Sequence, residues 1–243
     1  MEMRSGGGAG FPDGIDTRGP ASVQLAQQAF VTRVFGWMFL GLTLTAAIAI
    51  FFSSQQDMLR YFSDNPVVYF GAFGVQILLV LALSAGINRM PSQLAVFAFA
   101  LFAGLNGFTI SVIIEVYTDA SIAGAFGVSA GMFAAMAVFG YVTKRDLTKF
   151  GSLMFMALIG FLLASIVNIF VASSTLYWVL TYAGVVIFLG LTAWDMQRIK
   201  AMAASGISGE DGRKGAILGA LSLYLNFINL FLLMLRIMGS ARG

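Results

Sequence analysis

Apolar and charged positions along this chain alternate on the scale of a membrane, not of a helix face or a strand. Uncharged runs occupy Val34–Ser54, Asn65–Asn88, Met90–Ile114 and Ala120–Thr143. Each can hold one crossing, given the roughly 20 residues that a hydrocarbon core demands. Phe150–Trp194 continues for 45 residues without a charge, enough for two crossings, and a polar break at Ala172–Thr175 (ASST) divides it. Gly215–Leu235 holds the last. The pattern predicts an all-α integral membrane protein with seven transmembrane helices, since backbone polar groups in hydrocarbon must be satisfied within each spanning segment.

The final stretch, Ala220 to Gly239, adds direction to this count. Taking Ser222 as zero and 100° per residue, Asn226 lies at 40°, Asn229 at 340° and Arg236 at 320°. Leu, Ile, Phe and Met take nearly everything else. A polar stripe has no use against lipid, so this helix is expected among other helices with the stripe lining their shared interior. Small residues recur at helical spacing elsewhere: Gly124, Gly127 and Gly131 in span four, Gly104 and Gly107 in span three, Gly215 and Gly219 opening span seven. Close helix packing is the ordinary reason for such glycines, and a hinge or pore-lining face the sharper one.

Composition sharpens the exclusions. Mean hydropathy is +0.88 and only 10% of residues are charged, against about 25% in a soluble domain. Residues 1–29 form a Gly-rich polar tail, expected to be mobile, without the h-region of a signal peptide; residues 30–240 hold the membrane domain. The chain has no Cys and no His, which removes disulfides, thiol chemistry, imidazole metal ligands and His-dependent triads. Lys occurs only at 144, 149, 200 and 214, outside the middle of any span. The net charge of +3 does not indicate nucleic acid, because the basic residues sit between apolar runs where orientation signals belong. With a cytoplasmic N-terminus, eleven Lys and Arg fall on that side and three (Arg60, Arg236, Arg242) on the other, a strong positive-inside bias. The loop joining spans three and four then carries Glu115 and Asp119 without a base, a small acidic mouth on the outer face.

Asp195 closes span six in LGLTAWDMQRIK, and span seven starts from the same side, so Asp195 and Asn226 can meet if span six is tilted or Asp195 sits a turn inside. One reading makes Asp195 a solvated helix-end carboxylate paired with Arg198. The favoured one makes it a buried ionisable group marking an ion or proton path, with Arg89, on the same side, as candidate counter-ion.

The strings AWDMQRIK and ALSLYLNFINLFLLMLR, with SIAGAFGVSAG and VTKRDLTKFGS around span four, resemble the Bax inhibitor family, seven-helix membrane proteins that include bacterial YccA-like members. The resemblance implies six helices bundled around a central seventh, and a pH-sensitive calcium leak. In that picture an aspartate pair on helices six and seven shares a proton and is latched by an arginine of helix two. Carried over, the first aspartate falls on Asp195 and the arginine on or near Arg89, but position 226 is Asn. Two close carboxylates cannot both ionise, which makes such a pair a proton sensor. Asn cannot titrate and its NH₂ can donate to an ionised Asp195, so the switch is expected to be weakened or lost.

The leading functional expectation is therefore a calcium leak channel with weakened pH sensing, in the inner membrane of a bacterial cell. Glu115, Asp119, Asp195, Asn226 and Asn229 could offer oxygen ligands along the bundle, with weak calcium binding and no dedicated metal cage or cofactor. The alternative is a regulator acting by contact with a membrane protease or other membrane partner. An enzyme is not expected, because a lone Asp beside an Asn has little acid–base capacity. The bilayer and a cation are the expected partners; nucleic acid is not.

Overall fold

The computed structural model describes residues 20–55 and 65–242. Most of the expected N-terminal tail, and Arg60, lie outside the described residues. Among the described residues seven α-helices follow in order: α1 (Pro20–Ser53), α2 (Pro66–Gly86), α3 (Ser92–Val116), α4 (Asp119–Val142), α5 (Thr148–Val171), α6 (Ser174–Ala204) and α7 (Gly209–Met238). All seven contain stretches long and apolar enough to cross a membrane. The protein is an all-α membrane protein, as the uncharged runs require.

The boundaries have local causes. Pro66 sits in the first turn of α2, where a missing N–H costs nothing. A short 3-10 turn, Ile87–Arg89, and the extended Pro91 separate α2 from α3. The polar break at Ala172–Thr175 is a turn of one left-handed residue, Ala172 at φ 50°. Asn168 secures it by accepting the Ser173 amide at 3.1 Å, and the Ser173 hydroxyl then caps α6 by accepting the Leu176 amide at 3.3 Å. At the start of α5 the Asp146 carboxylate accepts the Thr148 amide at 2.8 Å. The Thr148 hydroxyl first and this amide bond second hold the Asp146 carboxyl below its ordinary range.

Two extents differ from the sequence reading. Residues 20–29, expected as tail with a short amphipathic lead-in near Val23–Phe30, are the first turns of α1 and continuous with the first span; Ala, Gln and Leu in this stretch are good helix formers, and Phe30 is buried beside Gly215. Helix α6 does not end at Trp194 but runs on through Met196 to Ala204. Asp195 consequently stands nine residues, about 14 Å, inside the helix end.

Helix α7 is the central one. It packs against α1, α3, α4 and α6, while α2 rests on α3 and α5 on α6. Most of its Leu, Phe and Ile side chains are buried, with Leu223, Tyr224, Leu230 and Leu235 fully so. Helix α5 is the opposite case, with Gly151 its one buried residue. A polar tie crosses the core: the Thr45 and Tyr224 hydroxyls lie 2.7 Å apart, and Thr45 also donates toward the carbonyls of Gly41 and Ala103 at 2.9 Å. Helices α4 and α6 approach so closely that a methyl on Gly140 would run into the Ala193 carbonyl.

Candidate functional site

The central feature is a carboxylate inside the bundle. Asp195 of α6 is 7% exposed, and its Oδ2 accepts a 2.8 Å hydrogen bond from Asn226 Nδ2 of α7, itself buried. Its other oxygen faces the Arg198 guanidinium, one turn on, at 3.9 Å. Arg198 is half-exposed and lies over the Trp194 ring at 5.8 Å, so it reaches from the Asp195 level toward the membrane surface. Below this level α6 is bound to its neighbours. Gln197 accepts the Leu147 amide and donates to the Arg145 carbonyl, both at 2.8 Å, and Lys200 donates to the Tyr141 carbonyl at 2.6 Å.

Arg89 is not the counter-ion of Asp195. It sits exposed in the 3-10 turn after α2, and among the described residues its guanidinium makes no ion pair with Asp195. Proximity to the right membrane face was not enough, because Asp195 faces α7 inside the bundle while Arg89 stays at the rim.

The α7 stripe divides. Asn226 turns inward to α6, whereas Asn229 is half-buried and donates to the Leu225 carbonyl of its own helix at 2.8 Å. Asn229 and Arg236 line a cleft of about 690 Å³ against α5 and α6. Arg236 is exposed, stacks over Tyr177 at 4.5 Å and reaches the Thr181 hydroxyl at 3.4 Å. The 60° between positions 226 and 229, by the 100° rule, suffices to point them at different neighbours. The expectation that the whole stripe lines the interior therefore holds for Asn226 and fails for Arg236.

Around and beyond Asn226 the interior is packed with rings. Tyr224 meets Phe99 and Phe102 edge-on and Phe227 meets Phe133, while Phe227 and Phe231 also meet Phe126, which is itself exposed on the outer face of α4. At the far end, Glu115 and Asp119 do not form a mouth without a base: Arg242 pairs with both, at 3.6 Å from Glu115. No group of three or more acidic, His or Cys side chains among the described residues could cage a metal ion.

Three polar ties went unread in the sequence. Glu210, in the first turn of α7, accepts both the amide and the hydroxyl of Ser92, at 2.6 and 2.9 Å, fastening α7 to the start of α3. Gln76 of α2 donates to the Leu105 carbonyl and the Thr109 hydroxyl of α3. The third is the Thr45–Tyr224 tie. Gln76 and Thr45 stand out as polar residues in apolar runs, whereas Glu210 lies in a charged segment and does not; the partners lie 29 to 179 positions away.

Fold and site together define a multi-pass membrane helix bundle whose central helix engages a carboxylate buried within the spans. The chain belongs to the family described as inhibitor of apoptosis-promoting Bax1, which matches residues 27–243. It is 46% identical over 217 residues to the inner membrane protein YbhL of Escherichia coli K12, covering 88% of this chain and 93% of that one. A protein of Borreliella burgdorferi is 40% identical over 220 residues, with 90% and 95% covered. A membrane protein of Streptococcus pyogenes serotype M3 is 36% identical over 212 residues, with 86% and 92% covered.

Proposed function

We propose that this protein is a passive cation path, with calcium the expected cargo, and that the arrangement described above is its resting, closed form. The observation that carries the reading is Asp195: an ionisable side chain buried between spanning helices is costly, and such groups mark ion or proton routes. Carboxylate and amide oxygens suit a hard cation. The buried Phe133, Phe227 and Phe231 rings of the bundle interior supply the closure that a leak needs at rest. Asn226 in place of a second carboxylate removes half of a proton sensor, so the path is only weakly pH-dependent. No cofactor and no enzymatic step enter this reading. The relative named as an inner membrane protein, together with the bias of Lys and Arg, supports a bacterial inner membrane with the N-terminus cytoplasmic.

The test is calcium entry into liposomes that contain only this protein. Flux above protein-free liposomes, abolished in Asp195→Leu and retained in Asp146→Asn, supports the path; absence of flux at every pH sinks it.

A second reading, regulation by contact with another membrane protein, is favoured by one observation. Ala123, Gly127, Gly131 and Ala135 of α4, spaced by four, are all exposed, and nothing in the chain lies near the open faces of Gly127 and Gly131. Small residues at that spacing let another helix approach closely. Protein silent in liposomes, but captured by a membrane partner through α4 and released by Gly127→Leu, would favour this account.

A further inference from the structure

Beyond α7 the chain does not trail away. Residues 239–242 lie across the loop between α3 and α4 as a strap. Tyr117 and Ala241 form an antiparallel bridge. The Thr118 amide donates to the Ser240 carbonyl at 3.1 Å and the Arg242 amide to the Val116 carbonyl at 2.9 Å. The Ser240 amide donates to the Ser121 hydroxyl at 2.9 Å. Gly239 makes the exit from α7 fit, since a side chain there would run into the Tyr117 ring. These bonds deliver the Arg242 guanidinium onto both acidic side chains of the outer loop, Glu115 and Asp119.

We propose that Arg242 is a tethered cation that occupies this acidic mouth and holds the path shut, an autoinhibitory latch carried on the C-terminal strap. The proposal rests on the cation-path reading above. Two observations support it. The latch sits close to the central helix: Ile114 and Ile122, flanking the loop, line with Phe227 and Phe231 an apolar groove of about 160 Å³ that opens outward past the exposed Ile50 and Phe126. Its strength also suits reversal. Asp119 is almost fully exposed and Glu115 partly so; ion pairs in water are weak and screened by salt, so a competing cation or a rise in ionic strength can free Arg242 and leave the strap to its remaining hydrogen bonds alone. A resident guanidinium offsets one of the two carboxylate charges and so lowers the local pull on incoming cations.

The chain has no cysteine, so a pair introduced as Ser121→Cys and Ser240→Cys reports the strap alone. In the full-length protein in liposomes, two quantities are read: disulfide yield under mild oxidation, which measures docking, and calcium entry. The expected results are high yield with Arg242 present and lower yield with Arg242→Gln or at high salt. Calcium entry should fall to the protein-free background in the locked protein and return on reduction. Arg242→Gln without cysteines should conduct about twofold more than native at low salt, the factor two exposed ion pairs can supply, and the gap should close at high salt. Equal yield with and without Arg242 would overturn the latch. Equal flux from locked and reduced protein, while both conduct, would overturn autoinhibition and leave the cation path standing. If no variant conducts, the cation path itself fails and autoinhibition fails with it.

Discussion

Two acidic sites stand toward opposite ends of the bundle and are held by opposite means. Asp195 is buried and receives a neutral amide from the central helix, with Arg198 at a longer 3.9 Å. Glu115 and Asp119 are in contact with water and receive a full positive charge from Arg242. Inside, desolvation makes each missing hydrogen bond expensive, so the partner is a structural requirement. Outside, water already satisfies the carboxylates, and the partner changes occupancy and charge more than stability. Charge alone is thus a poor guide to which site the fold depends on: the site with the weaker countercharge is the one built into the packing.

The largest test of this contrast is Gly140→Val. Helices α4 and α6 meet at the Ala193 carbonyl, two residues before Asp195, and a side chain there must push them apart. A loss of about 2–3 kcal/mol is expected, at the upper end for overpacking, measured as an earlier midpoint of SDS-induced unfolding. A loss below that of any outer-site variant would break the comparison.

Next is Asn226→Leu, which leaves the Asp195 carboxylate without its donor. The expected loss is about 1–2 kcal/mol, between the values for hydrogen bonds to charged groups and those measured across membrane helices. Asp195→Leu combined with Asn226→Leu should recover part of it, because removing both partners leaves no unsatisfied group. If the double variant is as unstable as the sum of the singles, the hydrogen bond is not what ties α6 to α7.

The internal site was largely legible in the sequence, and the outer one was not. Asp195 and Asn226 lie on consecutive helices joined by a tight loop, with positive φ at Gly206 and Gly209, so antiparallel packing brings them together without long-range knowledge. The seven spans were legible for a stronger reason: hydrocarbon forbids charge over the length of a crossing. The pairing of Arg242 with Asp119 joins positions 123 apart, and no periodicity links a loop to a C-terminal tail. Arg89 failed as a partner because its side of the membrane was readable and its depth and facing were not. Span ends were misread where amphipathic helix continues into the headgroup region, as in α6 after Trp194, since charge marks where hydrocarbon stops and not where the helix stops.

Asn226→Asp probes the internal site without removing volume. It places two carboxylates where one oxygen and one amide now lie 2.8 Å apart, and such a pair holds a proton between them over part of the pH range. Calcium entry into liposomes should gain a pH-dependent step between about pH 5 and 8 in the variant and change little with pH in the native protein. A steep native step that disappears in Asp195→Asn would instead assign the titration to the buried Asp195 itself, with no second carboxylate needed.

The smallest effect is expected from Arg242→Gln on stability. Its two ion pairs are solvent-exposed, its guanidinium being 40% accessible in each, so their loss should cost no more than about 0.5 kcal/mol at low salt. The backbone bonds from Ser240 and Arg242 to the loop, and the Tyr117–Ala241 bridge, remain available to the variant. The remaining difference should vanish as ionic strength rises and the Debye length falls from about 10 Å toward 3 Å. The measurement is the SDS-unfolding midpoint of native and variant protein at two salt concentrations, beside Asn226→Leu, whose buried hydrogen bond should be insensitive to salt. A cost for Arg242→Gln as large as that for Asn226→Leu, and unchanged by salt, would show that the outer site is part of the packed structure after all, and the contrast between the two ends would fall.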